Sequence, residues 1–165
     1  MIAGQDNEQP ATERGYRPCA GIMLLNSARQ VWVGRRLDTT SHAWQMPQGG
    51  IDAGETAEAA ARRELEEETG IVPARTEIIA ASRDWHQYDL PPEMLNGAWG
   101  GRYKGQRQKW YVMRFLGDDS HININTHEPE FAEWRWSGAN ELPHNIVPFK
   151  RPLYEALLVE FAAFL

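Results

Sequence analysis

The chain has 165 residues, 42% hydrophobic and 24% charged, with a formal net charge of -6. That length supports one domain with a real core, and the acidic balance argues against nucleic-acid binding driven by bulk charge, though not against a local basic groove. Cys19 is the single cysteine, which excludes an intrachain disulfide and fits a cytosolic chain. The polar, acidic first residues lack a signal peptide's apolar stretch, and no run is apolar enough to cross a membrane, so the expectation is a cytoplasmic protein without a membrane partner.

In chain order, residues 1–14 read as a loose tail, and 15–165 as a single domain. The run CAGIMLL (19–25) predicts a strand. A turn at Asn26-Ser27 returns the chain into QVWVGRR (30–36) as a hairpin. TSHAW (40–44) reads as loop, and QMP (45–47) as a short extended piece that Pro47 stops. A glycine loop then opens a helix, with Thr56 to cap its start and Gly70 its end. EIIAAS (77–82) predicts a buried strand and DWHQYDL (84–90) another. Residues 91–105, with two prolines and four glycines, read as a long loop. QKWYVMRFL (108–116) alternates, with Tyr111, Met113 and Phe115 on one face. EFAEWRW (130–136) alternates with Ala132, Trp134 and Trp136 on one face. Pro152 to Leu165 carries Leu153, Leu157, Leu158 and Phe161 at helical spacing, the mark of a closing amphipathic helix. Strands mixed with two helices imply an α+β sandwich, its mixed β-sheet flanked by helices. Trp44, Trp110, Trp134 and Trp136 are expected in the core.

The segment GGIDAGETAEAAARRELEEETGI (49–71) concentrates acid. Glu64, Glu67 and Glu68 stand at i, i+3 and i+4 and share one face. Traced backward, that stripe meets Ala57, Ala60 and Ala61, which mark a packed side. The opposite stripe, Glu58, Arg62 and Glu66, can pair in water. A charged helix flank is the plain alternative for any acidic cluster. Carboxylates on a packed face, however, cost heavily without a counterion. Hard divalent cations such as magnesium resolve this, since they take carboxylates together with phosphate oxygens.

Gly49, Glu55 and the run Arg63-Glu64-Leu65-Glu66-Glu67-Glu68-Thr69-Gly70-Ile71 resemble the Nudix box at every fixed position. The likeness continues through GYRP (15–18), WQMPQGGI (44–51), GQRQKW (105–110), PEF (129–131), WRW (134–136) and PFKR (148–151). These resemble the branch holding bacterial RNA pyrophosphohydrolases and the diadenosine tetraphosphate hydrolases of bacteria and plants. The resemblance implies the Nudix fold, an α/β/α sandwich, and hydrolysis of a pyrophosphate linkage in a nucleotide. It implies that Glu64, Glu67, Glu68 and, from outside the helix, Glu130 bind divalent metal, with Mg2+ foremost and Mn2+ or Zn2+ as substitutes. Arg63 would orient a glutamate, and Glu55 would support the loop.

Such chemistry needs a base, cations for the outer phosphates and a surface for the nucleobase. Glu68 is the first candidate for base, with Glu67 and Glu130 as alternatives. Arg17, Arg36, Arg107 and Lys109 lie beside family-like motifs and suit phosphate binding. Gly49 and Gly50 would face the substrate. By the resemblance, Phe149 would stack a nucleobase, with Tyr88 a second candidate. For both aromatics the plain alternative is half-buried packing, and for each cation a surface ion pair. The histidines show no zinc-ligand spacing. The expected activity converts RNA 5′-triphosphate ends to monophosphates with release of pyrophosphate, and also cleaves dinucleoside polyphosphates. The alternatives are an enzyme mainly of diadenosine tetraphosphate and a non-catalytic nucleotide sensor. The acidic charge predicts a shallow salt dependence of RNA binding.

Overall fold

A computed structural model of the protein describes residues 14–165; all but the last residue of the expected tail lies outside the described residues. Arg14 itself is buried at 8% exposure. The strands are β1 (Gly15–Leu25), β2 (Val31–Arg36), β3 (Gln48–Gly50), β4 (Thr76–Ala81), β5 (His86–Asp89), β6 (Tyr103–Phe115) and β7 (Phe131–Ser137). The helices are α1 (Ala57–Thr69), α2 (Leu142–Asn145) and α3 (Arg151–Glu160).

The long strands β1 and β6 form the spine. They run parallel, in register from Tyr16 opposite Gly105 to Leu25 opposite Arg114, with a bulge between Gly15 and Tyr16. Every residue of β1 from Cys19 to Leu25 is buried, as expected of a central strand covered on both faces. The remaining order is β4-β6-β1-β2-β7, with β3 added to β1 and β5 to β6 nearer the start of those strands. All pairings other than β1 with β6 are antiparallel.

Alternation along the spine divides the core between the two faces. Ile22, Leu24, Tyr111, Met113 and Phe115 pack with Ala60, Ala61 and Leu65 of α1. Met23, Leu25, Trp110 and Val112 pack with Leu142, Leu153, Tyr154 and Leu157 of α2 and α3 and with Phe161 just beyond α3. The result is the expected sandwich, with α1 on one face of a mixed sheet and α2 and α3 on the other.

The structure differs from the sequence reading at several places. Gly15–Pro18 extend β1. Gly49 and Gly50 lie in a strand, not a loop. β4 is half-buried rather than buried, because it sits at the sheet edge with one side open. The 91–105 loop ends earlier, since Tyr103 already pairs in β6. The last helix stops at Glu160, followed by a 3₁₀ turn at Ala162–Phe164. Of the four tryptophans expected in the core, only Trp110 is fully enclosed; Trp44, Trp134 and Trp136 pack onto the core half-buried. Trp32, not singled out by pattern, is completely buried and stacks on Trp134 with centroids 6.2 Å apart.

Candidate functional site

Helix α1 is built to begin and end where the motif does. The Thr56 hydroxyl accepts from the Ala59 amide at 3.1 Å, filling one of the donors a helix start leaves open. Gly70 takes left-handed angles (φ 73°) and its amide donates to the Glu66 carbonyl at 2.8 Å, the usual glycine stop. Between these caps the glutamates separate. Glu64 and Glu68 are buried at 9% and 2% exposure, while Glu67 is exposed beside them, not on the packed side. Glu66 points to water, and Arg62 pairs with Glu58 at 3.7 Å.

Arg63 joins the helix to the glycine segment. Its Nε and Nη2 donate to the two Glu55 oxygens, each at 2.9 Å, and Nη2 also reaches the Gly50 carbonyl at 2.9 Å. Its Nη1 donates to Glu64 at 3.0 Å and to Glu67 at 3.1 Å. Hydrogen bonds from Arg63 and from the Asp52 amide hold the Glu55 carboxyl at about 2. The same carboxylates raise the Arg63 pKa, so the guanidinium stays charged.

The two glycines are required by close approach. A Cβ on Gly49 would lie 2.0 Å from the Glu64 carboxyl carbon, and one on Gly50 would lie 2.3 Å from Nη2 of Arg17. Glycine therefore lets the backbone lie flat against a carboxylate on one side and a guanidinium on the other.

Burial, opposed in part by Arg63, pushes the Glu64 carboxyl up to about 7. Glu68 is raised well above the carboxylate range, first by burial and then by the negative charges of Glu130 and Glu64. The Glu130 carboxyl and the Gln48 backbone lie near Glu68, but neither Glu68 oxygen makes a hydrogen bond of ordinary geometry. Two bare, enclosed carboxylate oxygens beside further carboxylates fit a site for a cation. Among the described residues no three acidic, His or Cys side chains already converge on one point; Arg63 donates to both Glu64 and Glu67. The donor set thus fits a divalent metal through Glu68, Glu64, Glu67 and Glu130, with Arg63 holding Glu64 and Glu67 from the side.

Two cavities meet at these carboxylates. One, of about 560 Å³, is lined by Gly49, Gly50, Glu64 and Glu130, and by Arg17, Arg36, Tyr88, Phe149 and Lys150. The other, of about 550 Å³, is lined by Arg63, Glu67, Glu68 and Glu130 with Thr126, His127 and Glu128. Glu130 borders both, and its carbonyl accepts from the Leu37 amide at 2.9 Å, which ties it to the end of β2. The floor of the first cavity is a polar chain. The Tyr88 hydroxyl donates to Gln106 at 2.7 Å, Gln108 donates to Gln106 and Gln48, and the Trp110 indole donates to Gln108 at 3.0 Å.

Arg17, Arg36, Gly49, Gly50, Tyr88 and Phe149 thus share one cavity. Arg36 is paired there with Asp38. Phe149 and Tyr88 have ring centroids 5.8 Å apart. Arg107 and Lys109 lie outside this lining. Residues alternate across β6, so Gln106 and Gln108 turn inward while Arg107 caps the Trp85 ring at 4.5 Å and Lys109 donates to the Arg83 carbonyl. The cation in their place is Lys150, which the PFKR motif carried beside Phe149. It is half-buried, and enclosure together with the Arg36 charge pushes its ammonium down to about 8. Trp99 also lines the cavity; its loop had no periodicity from which to read it. Neither Thr126 nor His127 was signalled by the sequence.

A NUDIX domain model matches residues 15–157 of the chain. An RNA pyrophosphohydrolase of Sphingopyxis alaskensis is 58% identical over 146 residues, covering 88% of this chain and 92% of that protein. One from Roseobacter denitrificans is 55% identical over 150 residues, covering 91% and 94%. A crystal structure of a C. elegans Ap4A hydrolase binary complex shares the fold with a TM-score of 0.67 at 21% identity, covering 90% of this chain and 96% of that one.

Proposed function

The chain belongs to the Nudix family, and from that premise we propose that it is an RNA pyrophosphohydrolase, removing pyrophosphate from a 5′-triphosphate end to leave a monophosphate. The observation that carries this reading is a cavity whose wall bears the carboxylates of Glu64 and Glu130 together with Arg17, Arg36, Lys150 and Phe149, and which meets at Glu130 the cavity lined by Glu68. It joins a carboxylate centre to cations and an aromatic ring in one space. The identity of the RNA pyrophosphohydrolase relatives supports it directly. Dinucleoside polyphosphates present the same phosphates and base and are the second substrate class. A cytoplasmic setting suits a chain whose single cysteine is buried and unpaired; no helix among the described residues is long and apolar enough to cross a membrane.

A divalent metal, Mg2+ foremost, would be held by Glu64, Glu67, Glu68 and Glu130; when bound it neutralises polyphosphate charge and acidifies water. The protein's own groups do the rest. Arg17, Arg36 and Lys150 hold the phosphates as cations. Glu68 takes the proton of the attacking water. Arg63, fixed by Glu55, sets the position of Glu64 and Glu67. Phe149 stacks the base. The test is release of pyrophosphate from 5′-triphosphorylated RNA with magnesium; failure to produce 5′-monophosphorylated RNA overturns the reading.

A further inference from the structure

Trp99 sits in the loop between β5 and β6 with left-handed backbone angles, φ 49° and ψ 36°. A bulky residue adopts that region only where its surroundings compel it. Here they do. Buried Arg14 donates to the Leu95 carbonyl at 2.9 Å and to the Asn96 side chain at 3.3 Å, pinning the loop from outside. The Arg102 side chain donates to the Trp99 carbonyl at 3.3 Å, and the Tyr103 ring meets the indole edge-on at 6.3 Å. The indole is half-buried and lines the cavity that holds Phe149.

Arg17 connects this ring to the chemistry. Its guanidinium carbon is 5.5 Å from the Trp99 ring centroid, and its Nη2 lies 2.3 Å from where a Gly50 Cβ would be. One side chain thus spans from the glycine pair of the motif to the indole. Elsewhere in the same cavity, Lys150 stands 5.9 Å from the Phe149 ring centroid. Lys150 also stands 5.7 Å from the Tyr88 ring centroid, so the cavity contains two cations with aromatic partners, Lys150 with Tyr88 and Phe149 and Arg17 with Trp99, and a substrate with a single nucleoside uses only one of these groups.

We propose that Trp99, with Arg17 beside it, is a second nucleobase platform, so that the site takes substrates with two nucleosides. This deepens the function proposed above and rests on that reading. The second base comes either from the adjoining nucleotide of an RNA end or from the far nucleoside of a dinucleoside polyphosphate. Stacking on an aromatic ring is sequence-tolerant and strengthens binding by about tenfold per base.

The experiment is calorimetric binding of AMP and of the 5′-monophosphorylated dinucleotide pApG to the full chain and to Trp99→Ala and Trp99→Phe. The dinucleotide is expected to bind the parent on the order of tenfold more tightly than AMP. Trp99→Ala brings that ratio close to one, and Trp99→Phe, which keeps an aromatic face and guards against misfolding, retains most of it. Unchanged preference in Trp99→Ala, or equal weakening of both ligands, overturns the proposal and leaves Trp99 a structural support for Arg17. A parallel comparison of kcat/KM on diadenosine tetraphosphate and on ATP shows whether the platform also serves a far adenosine. Because the binding ratio needs no turnover, a protein that leaves triphosphorylated RNA uncleaved yet shows the Trp99-dependent ratio contradicts the proposed function and upholds the platform.

Discussion

Arg63 grips both carboxylate oxygens of Glu55, at 2.9 Å each, while its remaining nitrogen holds Glu64 and Glu67. One side chain outside the glutamate trio therefore determines where two of the three point. Glu55→Gln removes the charge that balances Arg63, and kcat is expected to fall about 10- to 100-fold, as when a partner of a metal ligand is lost. The pair also leaves a pH signature. The Glu55 pKa is depressed to about 2 from an ordinary 4.5, so its stabilising effect is full above about pH 4.5 and is lost as pH falls toward 2. Denaturation of parent and variant should show a stability gap at pH 7 that closes with acid; a gap independent of pH refutes the assignment.

Gly49→Ala tests the close approach at Glu64. A methyl group 2.0 Å from that carboxyl carbon must displace it. A misplacement of this order costs on the order of 100-fold in rate, while Ala in a short strand leaves the fold in place. Rate assays beside circular dichroism check this, and an active, folded Gly49→Ala enzyme contradicts the geometry.

Helix α1 was legible in the sequence because its signals are local: a threonine cap, a glycine stop and a 3.6-residue period. The role of Gly49 and Gly50 was not, since a glycine pair reads as a turn while the constraint here comes from Glu64 and Arg17, distant in sequence. The same limit explains Arg107 and Lys109. A motif shows which residues stand together, but strand alternation decides which face the cavity, and it turns Gln106 inward. Trp134 and Trp136 follow the alternation of β7, yet that strand lies at the sheet edge, where the pattern marks a face without saying how fully it is covered. Trp99 and His127 belong to irregular segments in which only tertiary contacts determine direction.

Lys150 gives the site an alkaline limit. Its ammonium loses its proton near pH 8 in the free protein, and only the charged form attracts phosphate. The kcat/KM for triphosphorylated RNA, which reports the free enzyme, should decline as pH rises through about 8. In Lys150→Arg that limb moves upward, because a guanidinium stays charged across the range. A limb at the same pH in the variant excludes Lys150 as its origin.

Glu68 is the centre of the proposed metal site: its buried oxygens make no hydrogen bond of ordinary geometry, with the Glu130 carboxyl and the Gln48 backbone near them. The most direct measurement follows Mg2+-dependent thermal stabilisation and pyrophosphate release from 5′-triphosphorylated RNA in the parent and in Glu68→Gln. Without metal, the raised Glu68 pKa means its ionisation destabilises the fold as pH rises above about 4.5, so the neutral variant should be the more stable at pH 8. Magnesium should then raise the parent's melting temperature more than the variant's, and Glu68→Gln should lose at least about 100-fold in kcat, as expected where a base is removed. Equal magnesium stabilisation of both proteins, with full activity in Glu68→Gln, would contradict the assignment.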